Sequence, residues 1–395
     1  MAGADAVTPA ARIASAIDIL DIVLAGTPAE QALTRWGRAS RFAGSRDRAA
    51  VRDHVYDALR CRRSFAVLGG AETGRGLMIG LLRAGGVAPE TVFTGAGYAP
   101  AALTAEEAAP PPDSAMLSRG VRLDCPDWLL AEFDASLGDA ADEVLARMRQ
   151  RAPVYLRANA RQGRVVAAGM LAAEGIETAP VEGADFALEV IANAQKIRNS
   201  AAYAEGRIEP QDLSPQMAVE ALPLQDGMRV LDYCAGGGGK TLAMAARADL
   251  SLTAHDAIPA RMKDLPVRAA RAGAVVAQVM GDRLDQMPPF DLVLTDVPCS
   301  GTGTWRRSPE AKWTLTPDRQ AGLVTLQAEI LDRAAGLVAP DGWLIYMTCS
   351  LLTHENRGQI DRFLARNEGF ALRQDRLYTP FDGGDGFYAA HLTRV

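Results

Sequence analysis

From Gly227 onward, short apolar runs alternate with helix-length amphipathic segments. MRVLDYC, LTAHD, AVVAQVM, FDLVLTD and WLIYMTC are each followed by a Gly, Pro or Asp turn. KTLAMAARA and PDRQAGLVTLQAEILDRAAGLV fill two of the intervals with helical spacing. Alternation of this kind over about 120 residues predicts a parallel sheet covered on both faces. Ligands of such sheets bind at the carboxyl ends of the strands.

The earlier chain reads differently. Residues 11–70 are rich in Ala, Leu and Arg at spacings of three and four, which predicts several short helices. The start, MAGADAVTPAARIASAIDILDIVLAG, carries Asp5, Asp18 and Asp21 and no basic n-region, so it reads as an amphipathic helix and not a signal peptide. Ala99 to Asp113, with three consecutive prolines, reads as a linker or exposed loop. WLLAEF and AADEVLARMRQ are helical. VYLRANA and DFALEVIA are strand-like around a helix at Val165 to Glu174, giving a small α+β module. The expected domains are a helical one at 1–118, the α+β module at 119–206 and an α/β domain at 207–395.

Composition narrows the class. Of 395 residues, 48% are hydrophobic and 23% charged, which excludes wholesale disorder. No run approaches the roughly 18 apolar residues of a membrane span, so a cytoplasmic protein is expected. Five cysteines without a C-x-x-C pair, and four histidines without metal-ligand spacing, point away from disulfides and a zinc site. Net charge is −6, yet Arg35 to Arg63 holds nine Arg and three Asp. That segment reads either as a nucleic-acid footprint or as a solvated helix face, with Val51, Val55 and Leu59 on its apolar side.

Val230 to Thr241 spells a strand, a glycine-rich turn and a helix start. Glycines admit a ligand to the backbone, and a helix start favours an anion. Gly239-Lys240-Thr241 invites a P-loop reading, but the pattern needs glycine where Cys234 stands. The dinucleotide spacing G-x-G-x-x-G is absent too. Asp232, Asp256, Asp282 and Asp296 follow or end four successive strands. Singly each is a turn former or cap. Together they suit an adenosyl ligand better than a triphosphate, with Asp256 for ribose hydroxyls and Asp282 for an adenine amino group.

Asp296-Val297-Pro298-Cys299-Ser300-Gly301-Thr302-Gly303 follows the fourth strand, and Thr348-Cys349-Ser350 the fifth. A lone cysteine is more often a small buried hydrophobe. Two at adjacent strand ends beside a glycine loop read as chemistry, and a helix expected near Thr353 would favour a thiolate at Cys349.

The Cys234–Lys240 loop, Asp-Val-Pro-Cys-Ser-Gly-Thr-Gly, Arg306-Arg307-Ser308-Pro309-Glu310 and Thr348-Cys349-Ser350 together resemble the Sun/RsmB family of S-adenosylmethionine-dependent RNA cytosine-5 methyltransferases. The resemblance runs from about Leu123 to the carboxyl end, including Asp385-Gly386-Phe387-Tyr388. It departs at Gly237, where the family usually has Pro. It implies a Rossmann-like class I methyltransferase domain, an RNA-guiding α+β subdomain and an N-terminal NusB-like, RNA-binding helical domain. It assigns nucleophile to Cys349, product release to Cys299 and contact with the base to Asp296. Cys234, Ala235, Gly236, Gly237, Gly238, Gly239, Lys240, Asp256, Arg261, Asp282 and Asp296 would bind S-adenosyl-L-methionine. Without the resemblance the residues do not choose between the two thiols. The implied partner is RNA, specifically 16S ribosomal RNA, for a monomer that uses neither membrane nor metal. The competing readings are a transfer-RNA cytosine-5 methyltransferase, an exocyclic-amine methyltransferase, a P-loop-like nucleotide hydrolase and a non-catalytic RNA-binding protein.

Overall fold

The computed structural model describes residues 8–159 and 163–395, without the side chains of Ser114 and Asp282. Asp5 and Ala160 of the segments read above lie outside the described residues. The chain divides into two compact units. One runs to Arg151 and takes in Trp305–Thr314; the other comprises Ala152–Thr304 and Leu315–Val395.

The first unit is helical. Helices Pro9–Leu24, Ala29–Ala39, Ser45–Arg60, Arg62–Gly69 and Gly74–Ala84 come from the periodic stretch. Their apolar stripes, including Ile19, Leu20, Val51, Val55, Leu59 and Leu77, close one core. The unit ends after Arg151 and not at 118, because helices Asp127–Leu137 and Ala141–Met148 belong to it. Phe133 meets Trp305 edge-on at 5.5 Å, and the buried Asp124 carboxylate accepts from the Ser64 N–H and the Arg149 guanidinium. Trp305–Thr314 completes this unit from far down the chain. The expected linker is pinned: Arg75 and Arg83 donate to carbonyls at Ala101, Ala102 and Ala109.

The second unit holds two sheets. Strands β1 (Tyr155–Ala158), β2 (Glu177–Pro180), β3 (Ala187–Ala192) and β4 (Ile208–Pro210) pair antiparallel in the order β2-β3-β1-β4, with helix Gly163–Ala173 after β1. This is the expected α+β module. A seven-stranded sheet follows, with β5 (Arg229–Asp232), β6 (Ser251–Ala254), β7 (Val276–Gln278), β8 (Phe290–Asp296), β9 (Val338–Thr348), β10 (Phe370–Tyr378) and β11 (Phe387–Arg394). Its order is β10-β11-β9-β8-β5-β6-β7.

Alternation along these strands fills both faces. Leu292, Leu294, Ile345 and Met347 enter one core, while Val293, Leu344 and Tyr346 enter the other. Strands β5 to β9 are parallel, as expected. The last two correct the all-parallel expectation, since β11 pairs antiparallel with both β9 and β10. Only eight residues separate β10 from β11, enough for a hairpin and too few for a crossover helix. The result is a Rossmann-like α/β fold carrying a ferredoxin-like subdomain.

Candidate active site

Strand order reverses between β5 and β8, which opens a crevice at their carboxyl ends. The glycine loop leaves β5 into it. Gly236 and Gly238 take φ of +50° and +83°, and a Cβ on Gly238 would press into the Leu265 side chain at 2.2 Å. Asp256, just after β6, shapes the loop: its oxygens accept from the N–H groups of Gly236 at 3.0 Å and Ile258 at 2.9 Å. Arg261 lies 3.5 Å from the same carboxylate. Asp282 falls in the short helix Gly281–Leu284, its side chain outside the described residues.

Two guanidiniums that sequence reasoning missed grip the loop from behind. Arg157, buried in β1, donates to the Gly239 carbonyl at 2.7 Å, and Arg268 donates to the Gly237 carbonyl. Glu209 of β4 pairs with Arg268 at 3.0 Å and also with Arg271. The α+β module thus braces the glycine loop, including the residue that departs from the family pattern. No spacing in the sequence carries that signal.

At the far side of the crevice, Lys240 donates to Asp296 at 2.6 Å. Burial works against the ammonium, but the Asp296 carboxylate outweighs it and raises the Lys240 pKa. Asp232, 1% exposed, accepts from the Thr241 hydroxyl at 2.6 Å. Burial pushes its carboxyl up to about 6. The Cys234 thiol is pushed up as well, by burial and then by Asp232, Asp296 and Asp256. It is therefore a poor nucleophile.

The other two thiols meet. In-register pairing of β8 with β9, Asp296 opposite Met347, brings the Pro-Cys and Thr-Cys turns side by side. Cys299 Sγ lies 3.3 Å from Cys349 Sγ, both half-buried. Cys299 is held well above its ordinary range by the hydrogen bond with Cys349, then by burial and by the negative charge of Cys349 and Glu355. The pair accordingly keeps its proton on Cys299. The helix expected near Thr353 is one 3-10 turn, Thr353–Glu355, and the α-helix begins only at Arg357. Glycines hold the turns close: a Cβ on Gly303 would lie 2.1 Å from the Gly386 carbonyl oxygen.

Residues 219–393 match the family described as 16S rRNA methyltransferase RsmB/F, and residues 125–197 match its ferredoxin-like domain. Ribosomal RNA small subunit methyltransferase B of Xylella fastidiosa is 32% identical over 288 residues, 68% of this chain and 67% of that protein. The chain belongs to the RsmB/F methyltransferase family. The Vibrio cholerae protein of the same name is 33% identical over 68% of this chain, and the match spans 65% of its length. The crystal structure of PH0851 shares the fold, with a TM-score of 0.76 at 22% identity over 98% of this chain and 99% of that one.

S-adenosylmethionine is the cofactor of this RsmB/F chain, and the residues present fit it. Asp232 Oδ1 is buried without a hydrogen-bond partner among the described residues, an oxygen that a ligand donor would satisfy. The left-handed glycines leave the loop backbone open, and each Asp256 oxygen keeps a lone pair for a hydroxyl. Among the described residues no group of three or more His, Cys, Asp or Glu is placed to hold a metal, and no helix is long and apolar enough to cross a membrane.

Proposed function

We propose that this protein transfers a methyl group to carbon 5 of a cytosine in 16S ribosomal RNA through a covalent cysteine adduct. The observation that carries the reading is the 3.3 Å thiol pair at the ends of β8 and β9, beside the Lys240–Asp296 pair. Carbon 5 of cytosine is a weak nucleophile. Cys349, as thiolate, attacks carbon 6, and the electron pair displaced onto carbon 5 makes that carbon nucleophilic. Asp296, oriented by Lys240, hydrogen-bonds the polar edge of the ring and stabilises the charge that develops there. When bound, S-adenosylmethionine supplies the methyl group as a sulfonium electrophile. Glycines 236–239 with Asp232 and Asp256 hold it. The Cys299 thiol serves the last stage, in which the carbon-5 proton leaves and the Cys349–carbon bond breaks.

The helical unit is the proposed RNA-binding domain, and it splits the arginine-rich segment in two. Arg48, Arg52, Arg60, Arg62 and Arg63 bond to Ala43, Glu30, Asp57, Glu72 and Asp127. Arg35, Arg38, Arg41 and Arg46 are exposed and have no partner among the described residues; Phe42 between them is 73% exposed. Four unspent cations around an aromatic ring suit phosphates and an unstacked base.

The test is methyl transfer from labelled S-adenosylmethionine to protein-free 16S RNA, followed by bisulfite sequencing. One protected cytosine is expected. Label on any other base, or transfer to transfer RNA alone, overturns the reading.

A further inference from the structure

Beneath the two thiols lies a buried polar cluster that the chemistry above does not use. Its centre is Glu355, 0% exposed, with no cation paired to it among the described residues. Four donors reach its carboxylate. Oε1 accepts from the Ser300 N–H at 2.9 Å and the Gln327 amide at 2.9 Å. Oε2 accepts from the Ser350 hydroxyl at 2.5 Å and from the Ser300 hydroxyl. Ser300 follows Cys299, and Ser350 follows Cys349. The same Gln327 amide holds the carbonyl of Pro298, the residue before Cys299, at 2.9 Å. On the other turn, Asn356 donates to the Ser350 carbonyl at 2.8 Å and accepts from Thr348 at 2.6 Å. The two serine hydroxyls are also 3.2 Å apart.

An unpaired buried carboxylate is a costly way to fill space, and donors from two separate loops are what keep it there. Each donor is therefore fixed relative to the other. We propose that Glu355 is a positioning residue that sets the separation of the two thiols by clamping Ser300 and Ser350 to one carboxylate. The proposal rests on the reading that Cys299 and Cys349 act on one base. Glu355 touches neither substrate nor cofactor, and it acts through the cysteine neighbours.

Thiol separation is measurable without RNA. In glutathione buffers, Cys349 thiolate attacks glutathione disulfide and expels one glutathione thiolate. Cys299, giving up its proton, then attacks Cys349 of the mixed disulfide and expels the second. The Cys299–Cys349 fraction, read by mass spectrometry of its peptides, gives the effective concentration of one thiol at the other. Glu355→Ala is expected to lower it by about 100-fold, the scale of a 1 Å misplacement. S-adenosylmethionine affinity and KM for RNA should stay, and kcat should fall. Glu355→Gln should restore the value, because its amide oxygen accepts as Oε1 does while its NH2 donates to serine hydroxyls that turn to accept. If Glu355→Ala does not fold, Ser350→Ala, which removes one arm, is expected to give a smaller fall. An effective concentration unchanged in the folded variant overturns the proposal. Because this measurement needs no methyl transfer, it still reads the clamp if the cysteines prove not to react with RNA.

Discussion

The Lys240 ammonium and the Asp296 carboxylate, 2.6 Å apart, join the start of the helix after β5 to the end of β8. The lysine that a P-loop would spend on phosphates is thus already neutralised from the neighbouring strand. Calorimetry is expected to show binding of S-adenosylmethionine and none of magnesium-ATP. Millimolar or tighter ATP binding would return the loop to the nucleotide-hydrolase reading.

Asp256 is the loop's carboxylate with lone pairs to spare. Asp256→Ala should weaken S-adenosylmethionine binding by roughly 10–150-fold, the worth of one charge-assisted hydrogen bond of about 1.5–3 kcal/mol. Binding within error of the parent, in a protein of unchanged circular dichroism, removes Asp256 from the cofactor site.

The thiols separate by their products. Cys349→Ala should give neither methylated RNA nor covalent complex. Cys299→Ala should form the adduct and stall, leaving a slow band on denaturing electrophoresis with RNA and S-adenosylmethionine. The reverse pattern exchanges the two roles.

For the helical unit, charge reversal is a cleaner probe than truncation. Arg35→Glu, Arg38→Glu, Arg41→Glu and Arg46→Glu should each reduce the log–log salt slope of RNA binding by about 0.7 for every phosphate left without its cation. The same change at Arg52, already paired with Glu30, should leave the slope alone. Equal slopes in all five variants return the segment to a solvated face.

Acid stability has a named contributor in β11. Burial lowers His391 from 6.5 to about 4, and its Nδ1 lies 3.0 Å from the Gln374 amide nitrogen, where a neutral ring accepts. The unfolded chain binds the proton more readily. The histidine's stabilisation is therefore complete above pH 6.5 and is lost as pH falls from 6.5 toward 4, by about 3 kcal/mol at most. His391→Gln should flatten the thermal midpoint across that window, and an unchanged slope would place the loss elsewhere.

The parallel strands were legible because period-two alternation and their closing turns are local properties. β10 was not: FALRQDRLY is an edge strand with its middle exposed, so its composition is that of a surface. β7 shrank to three residues for the related reason that Val275 is 90% exposed. Among site residues, the cysteines and glycines announce themselves by type and turn. Glu355 sits in a stretch that reads as a helix start, and Arg157 in one that reads as a strand. Their roles come from partners up to 82 residues away. The arginine segment shows the same limit, since Glu72 and Asp127 decide which of its cations remain available.

The return of Trp305–Thr314 to the helical unit bears on the order in which the chain matures during synthesis. Lys312 donates to the Arg60 carbonyl at 3.0 Å and to that of Asp124 at 2.7 Å, and Glu310 receives the N–H of Ala29 at 3.0 Å. These bonds cannot form until the ribosome has delivered residue 314. At about 5–20 residues per second, the helices made first wait roughly 8–33 s after Arg151 for their last ten residues. The domain that begins the protein is among the last to be finished, and Trp305, wholly buried at the end, is an exposed indole until then.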